Sequence, residues 1–165
     1  MSYLLFYTLY ILKYKEEVNM KYEIEILEEK RVAGFCKRTG NQNQDMTTVI
    51  GGLWKKWETV SELQGRKNKK WIGMYTDYEG MEYDTTVGYE IEKDTIVPND
   101  MTEKMIPAGK YAKFVLHGDV VQTVQQAWAD IWKMNLERTF ICDFEEYQEG
   151  EDMKNMEIYI YVAIK

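Results

Sequence analysis

The 165-residue chain contains two prolines, two cysteines and a single histidine. So few prolines leave little room for a disordered linker and favour one folded unit. Cys36 and Cys142 stand far apart with no CxxC spacing, which excludes a disulfide framework and a zinc knuckle and reads as two buried, reduced thiols in a cytoplasmic protein. His117 alone cannot build a Ser-His-Asp set or a metal cluster, so no metal and no cofactor are expected. A phosphate-cradling glycine loop is also missing: "GGLW" at 51–54 lies inside a helical pattern, where its glycines read as permitting close helix–sheet packing. The formal net charge of −7 repels phosphate backbones, so no direct DNA binding is expected, and the basic run "GRKNKKW" at 65–71 reads as a solvated loop. The apolar run from Tyr3 to Leu12 is about half the length of ~20 residues that a membrane helix needs, and neither basic residues before it nor a cleavage pattern after it marks a signal peptide. Residues 1–19 are too short for a DNA-reading module. They are expected to be an extension outside the domain, with the folded unit at 20–165. Lys15-Glu16-Glu17 must be encoded by purine-rich codons just ahead of Met20, which marks Met20 as the expected start of translation.

What is present is apolar, aromatic and patterned. Hydrophobic residues make up 45% of the chain and aromatic ones 14%. Tyr22, Ile24 and Ile26 alternate with Glu23 and Glu25, the period of a half-buried strand, which continues past a turn or bulge near Glu28–Lys30 toward Gly40. Val49, Ile50, Leu53, Trp54, Trp57 and Val60 then recur at helical steps, predicting an amphipathic helix opened by Asp45 or Thr47 and closed at Gly65. Two strand-rich runs around Glu79-Gly80 predict a hairpin. The order β-α-β-β then repeats. A strand over Lys110–His117 follows the Pro107-Ala108-Gly109 turn. Val121, Val124, Trp128, Ile131 and Trp132 share a helical face, and a second hairpin ends in the strand carrying Ile158, Ile160, Val162 and Ile164.

The repeat extends to register. Gly40 stands as far from Leu53-Trp54-Lys55 as Gly118 does from Ile131-Trp132-Lys133, and "MYTDYEG" at 74–80 returns as "DFEEYQEG" at 143–150, with Tyr78 matching Tyr147 and Thr76 matching Glu145. The fold class predicted is α+β: duplicated β-α-β-β units joining into one antiparallel sheet, with two helices on one face and a ligand cleft on the pseudo-twofold axis. The face away from the helices is expected to be concave and to carry the site. By alternation, Asp143, Glu145 and Tyr147 share one side of their strand, Phe144 and Glu146 the other, and Tyr159 and Tyr161 oppose the isoleucine face. Trp54, Trp57, Trp128 and Trp132 are expected in the core.

With "IPAGKYAKFVLHGD", a helix containing "AWADIW", then "DFEEYQ" and the terminal "EIYIYVAIK", residues 21–165 resemble the GyrI-like small-molecule-binding family, the effector-binding half of some AraC-type and MerR-type multidrug regulators. The resemblance implies a cleft on the pseudo-twofold axis, aromatic walls and a glutamate that meets cationic, planar ligands. "DFEEY" puts Glu145 in that place. The expected ligand-binding residues are Glu145, Tyr147, Tyr78, Tyr159, Tyr161, Thr76 and Trp71, and the expected partner is a lipophilic cation, held by ring faces and one carboxylate. The alternative is a hydrolase of strained, cyclopropane-containing compounds, an activity of some members, with Glu145 and Tyr147 as acid and base. A protein partner in the manner of a gyrase-inhibiting member is a third reading. Mass spectrometry of the native protein is expected to find Met20 at its start; an N-terminal peptide containing Ser2 would overturn that expectation.

Overall fold

Among the described residues ten elements follow in order: strand β1 (Glu23–Leu27), β2 (Lys30–Gly40), helix α1 (Met46–Trp57), β3 (Trp71–Glu79), β4 (Glu82–Ile91), β5 (Thr102–Ile106), β6 (Gly109–Gly118), helix α2 (Val120–Ile131), β7 (Arg138–Tyr147) and β8 (Met156–Ile164). The computed structural model describes residues 18–60, 62–150 and 152–165, so nearly all of the extension expected at 1–19 lies outside the described residues. Among these residues no helix is long and apolar enough to cross a membrane. The α+β fold of two β-α-β-β units is as the sequence pattern predicts, with two helices against one antiparallel sheet in the order β1-β6-β8-β7-β3-β4-β2-β5.

One connection differs from expectation. The first strand is two strands, and they part: β1 pairs with β6 of the second unit, while β5, leading into that second unit, pairs with β2 of the first. Each unit thus lends its leading strand to the other. In a flat sheet β1 and β2 would lie roughly 29 Å apart at ~4.8 Å per strand, yet Leu27 and Lys30 are joined through Glu28 and Glu29, a reach of at most about 11 Å. The sheet must therefore curl until its edges approach, a half-barrel.

Curling closes one face on itself. Leu27, Val32, Ile72, Met74, Ile106, Tyr111, Phe144 and Tyr161, drawn from strands across the whole width, form one buried cluster there. Phe144 and Tyr161 stack at 4.5 Å. The expected concave site face is consequently filled by the protein's own side chains. On the other face each helix covers its own half, with Leu53 and Trp57 packing near Phe35, Val87 and Tyr89, and Ala127 and Ile131 near Phe114, Ile160 and Val162.

The helices differ in their ends. Asp119 caps α2 by accepting a hydrogen bond from the Gln122 amide at 3.0 Å, whereas Asp45 makes no side-chain cap. α1 stops at Trp57, well before Gly65, because Thr59 turns its amide and its hydroxyl onto the Lys56 carbonyl. Gly51 and Gly52 have open space where a side chain would begin, so close packing is not their role.

Close approach occurs instead between β2 and β4. A methyl on Gly34 would lie 2.1 Å from the Val87 carbonyl oxygen, and one on Gly88 at 2.1 Å from that of Ala33. Backbone cannot yield there as a flexible side chain would. Gly34→Ala is expected to destabilise the protein by about 2 kcal/mol or more, whereas Gly51→Ala should stabilise it by about 0.5–1 kcal/mol; denaturant midpoints measure both.

Candidate functional site

The ladders show which residues the two units place in equivalent positions. Lys30 opposite Ile106 corresponds to Gly109 opposite Leu27, and from there the match runs inward: Phe35 opposite Val87 corresponds to Phe114 opposite Ile160, and Val87 opposite Gly73 to Ile160 opposite Glu145. Gly73 and Glu145 also pair with each other across β3 and β7. The pseudo-twofold axis passes through that pair. Two positions further along each strand, Tyr75 is the mate of Tyr147, and on the helices, which begin at Met46 and Val120, Trp54 is the mate of Trp128.

These equivalences correct the expected register. Gly40 is followed by five residues before α1, but only Asp119 separates Gly118 from α2. The difference is four residues, close to one helical turn, so matching Trp54 with Trp132 keeps the apolar stripe intact and hides the slip. Thr76 is likewise not the mate of Glu145. The first hairpin turns tightly at Gly80 and Met81 while the second carries a longer loop, so counting back from the glycine turns misaligns the strands.

At the axis Glu145 is 1% exposed. Its Oε1 accepts hydrogen bonds from the Tyr75 hydroxyl at 2.8 Å and the Trp128 Nε1–H at 2.6 Å, and its Oε2 accepts one from the Tyr147 hydroxyl at 2.6 Å. Gly73 makes the space: a methyl there would stand 2.9 Å from Oε2 and 3.2 Å from Trp54. The rings repeat the symmetry, with Trp54 edge-on to Tyr147 at 5.1 Å and Trp128 edge-on to Tyr75 at 5.5 Å.

All three donors to Glu145 are neutral. Four acids are buried among the described residues, Glu90, Asp143, Glu145 and Glu146. Lys67 meets Glu90 at 2.9 Å, Lys70 meets Glu146 at 3.0 Å, Lys30 lies 3.5 Å from both, and Arg138 meets Asp143 at 2.6 Å. Glu145 has no such cation among them. Burial pushes its carboxyl above the ordinary value, against the pull of its three hydrogen bonds. Burial, then the neighbouring carboxylate, holds Tyr75 and Tyr147 well above the ordinary phenol range. The basic run at 65–71, expected to be a solvated loop, instead spends Lys67 and Lys70 on the buried acids and lays Arg66 over Tyr89 at 3.6 Å.

The cleft above Glu145 lies between α1 and α2, on the helix side of the sheet, with a volume of about 900 Å³. Of the expected residues, Glu145, Tyr147, Tyr78 and Trp71 line it. Tyr159, Tyr161 and Thr76 do not. Glu145 pairs with Ile160 and Glu146 with Tyr159, so the final-strand tyrosines face away from the helices with Glu146; Tyr161 fills the opposite cluster and Thr76 is buried against β7 with its hydroxyl on Asp77. Tyr78 reaches the helix side because Asp77 takes a left-handed conformation, φ 53°, and breaks the alternation. Its hydroxyl donates to Asp143 at 2.8 Å. Of the tryptophans expected in the core, Trp57 is buried there, Trp54 and Trp128 are partly buried against it and Trp132 is exposed; all four also line the cleft, joined by Tyr75 and Tyr83, which sequence reasoning missed. Tyr75 was legible in principle, since it shares its parity with Trp71 and Gly73. No group of three or more metal-ligating side chains gathers among the described residues.

The family model described as Cass2, integron-associated effector binding protein, matches residues 23–164. The protein YobU of Bacillus subtilis strain 168, which carries a provisional transcriptional-regulator name, is 33% identical over 152 residues, covering 84% of this chain and 94% of its own. The Vibrio cholerae integron cassette protein VCH_CASS2 superposes with a TM-score of 0.72 at 24% identity, covering 87% of this chain and 95% of its own. SAV2435, solved bound to tetraphenylphosphonium, superposes with a TM-score of 0.70 at 17% identity, covering 88% and 94%. At those identities the two structures establish the shared fold, which fits the GyrI-like effector-binding domain the sequence resembles.

A carboxyl whose folded value lies above its unfolded one favours folding most when protonated, so its contribution to stability is complete below the unfolded value and is lost as pH rises through the folded value. Glu145→Gln, neutral throughout, is therefore expected to be more stable than wild type at neutral pH, with the gap narrowing as pH falls through the raised carboxyl value and closed below the ordinary carboxylate value of 4.5. Tyr147→Phe, removing a donor to the charged form, should move the Glu145 carboxyl further upward in ¹³C NMR titration.

Proposed function

This chain belongs to the Cass2 family, the integron-associated effector-binding proteins, and on that premise we propose that it binds lipophilic, planar or aromatic cations in the cleft between α1 and α2, with Glu145 as the charge partner. The observation that carries the reading is a carboxylate buried on the axis with three neutral donors and no cation among the described residues. An isolated buried charge is costly, and a bound cation would supply the missing partner. Trp54, Trp71, Trp128, Tyr75, Tyr78 and Tyr147 supply ring faces and edges around it. Each cation–π contact is worth about 0.5–2 kcal/mol, so several rings and one ion pair account for binding near the micromolar range, about −8 kcal/mol. Stacking and a point charge impose few directions, which suits a binder tolerant of shape. The ligand seen on SAV2435, a lipophilic cation, supports the reading.

With a formal net charge of −7 and two free thiols, the proposed partner is a small cation in the cytoplasm, not DNA. The hydrolase alternative finds no support in these relatives, and Tyr147, its hydroxyl held to Glu145 and its acidity suppressed, is poorly placed to give up a proton.

Tetraphenylphosphonium titrated by calorimetry or fluorescence should bind wild type, and Glu145→Gln should weaken it at least tenfold. Affinity in wild type should fall as pH drops through the raised carboxyl value, and Glu145→Gln should show no such dependence. Equal binding by both proteins would remove the charge-partner role.

A further inference from the structure

Behind the wall formed by Tyr78 and Trp132 lies a second buried acid. Asp143 stands two positions along β7 from Glu145, on the same face and roughly 7 Å away by strand geometry. The axis relates it to Trp71, which in the first unit lines the cleft. Asp143 is 0% exposed. Its Oδ1 accepts the Ala163 amide at 2.9 Å, and its Oδ2 accepts the Tyr78 hydroxyl at 2.8 Å and an Arg138 N–H at 2.6 Å.

Arg138 reaches this acid as a flat cation set in the corner of two tilted rings whose centres are 6.1 Å apart. Its guanidinium carbon lies 4.3 Å from the Trp132 ring centre and 4.3 Å from that of Phe140. Its side chain is 6% exposed, and its Nε is buried with no hydrogen-bond partner. Phe140 adopts a left-handed conformation, φ 55°, at the β7 bulge that brings its ring there. A planar cation against two aromatic rings, ion-paired to a buried carboxylate that also accepts a tyrosine hydroxyl, is the arrangement a ligand would meet at Glu145. Here the protein supplies the cation.

We propose that Asp143 is a second, latent cation pole of the cleft, occupied by Arg138, and that this internal occupant makes the site selective for singly charged ligands over doubly charged ones. The proposal rests on the cation-binding reading of the cleft. Arg138 and Asp143 cancel, leaving Glu145 as the buried acid without a cation among the described residues, with Glu58 at the exposed rim of the cleft. A dication whose charges are about 7 Å apart finds one partner and meets a cation at the other end.

The probes are tetraphenylphosphonium and butane-1,4-diyl bis(triphenylphosphonium), titrated into the full chain. Wild type should bind the dication no more tightly than the monocation. Arg138→Met, which keeps an apolar stem against Trp132 and Phe140, should bind the dication at least tenfold more tightly than wild type does, with tetraphenylphosphonium affinity held within about threefold. Asp143→Asn added to Arg138→Met should abolish that gain. Unchanged dication binding by an Arg138→Met protein that still takes up tetraphenylphosphonium, or a gain that survives Asp143→Asn, would overturn the proposal. Asp143→Asn alone needs no Arg138 variant to fold: it leaves Arg138 uncompensated beside the cleft and should weaken the dication at least tenfold while tetraphenylphosphonium stays within about threefold, and unaltered dication affinity there also overturns it. Wild type that binds neither probe, or Glu145→Gln that binds both undiminished, would instead reject the cation reading itself and the proposal with it.

Discussion

A carboxylate without a counter-ion among the described residues, buried where the two halves of the molecule meet, is the constraint around which this structure is arranged. Water is excluded from Glu145 by the tryptophans of both helices, and three neutral donors hold its oxygens. Those bonds orient the charge without cancelling it. Neighbouring acids are treated differently: Glu90, Asp143 and Glu146 each have a lysine or arginine within ion-pair reach. The contrast separates acids that close the fold from the one that leaves it incomplete.

The position of that acid follows from symmetry. On a pseudo-twofold axis through an antiparallel pair of strands, a residue and its mate are cross-strand neighbours. Two glutamates there would place like charges side by side in a dry interior, which is unfavourable even at exposed cross-strand sites. A large residue opposite would strike Glu145, since even a methyl at Gly73 comes within 2.9 Å of its oxygen. The axis position therefore has to be unequal, one side chain and one hydrogen atom. Away from it the constraint relaxes, and Tyr75 with Tyr147 and Trp54 with Trp128 keep the symmetry.

The repeat and the two helices on one face were legible because they depend on periodicity, and a short motif singled out Glu145 and Tyr147, which the structure brings into hydrogen-bond contact. The parity of Ile158 and Ile160 against Tyr159 and Tyr161 was also legible, and it holds. What parity within one strand does not contain is its phase relative to the next strand. Whether Glu145 sits beside Ile160 or beside Tyr159 is decided by the β7–β8 register, and that register depends on a loop and on a bulge near Phe140. The role of the tryptophans was hidden for a related reason: a helical stripe facing a sheet looks the same whether the space beneath it is filled or left as a cleft. The curl of the sheet was illegible because β1 and β5 pair with partners remote in sequence.

That exchange of leading strands bears on how such a protein could arise. A lone β-β-α-β-β segment would have its first strand projecting, with the edge meant to receive it left open. A second copy satisfies both needs at once. In such a pair of identical copies the cleft would lie on a true dyad, and every wall residue would come in identical pairs. Only where both halves belong to one chain can the two sides differ, as they do where a lone acid, Glu145, faces Gly73.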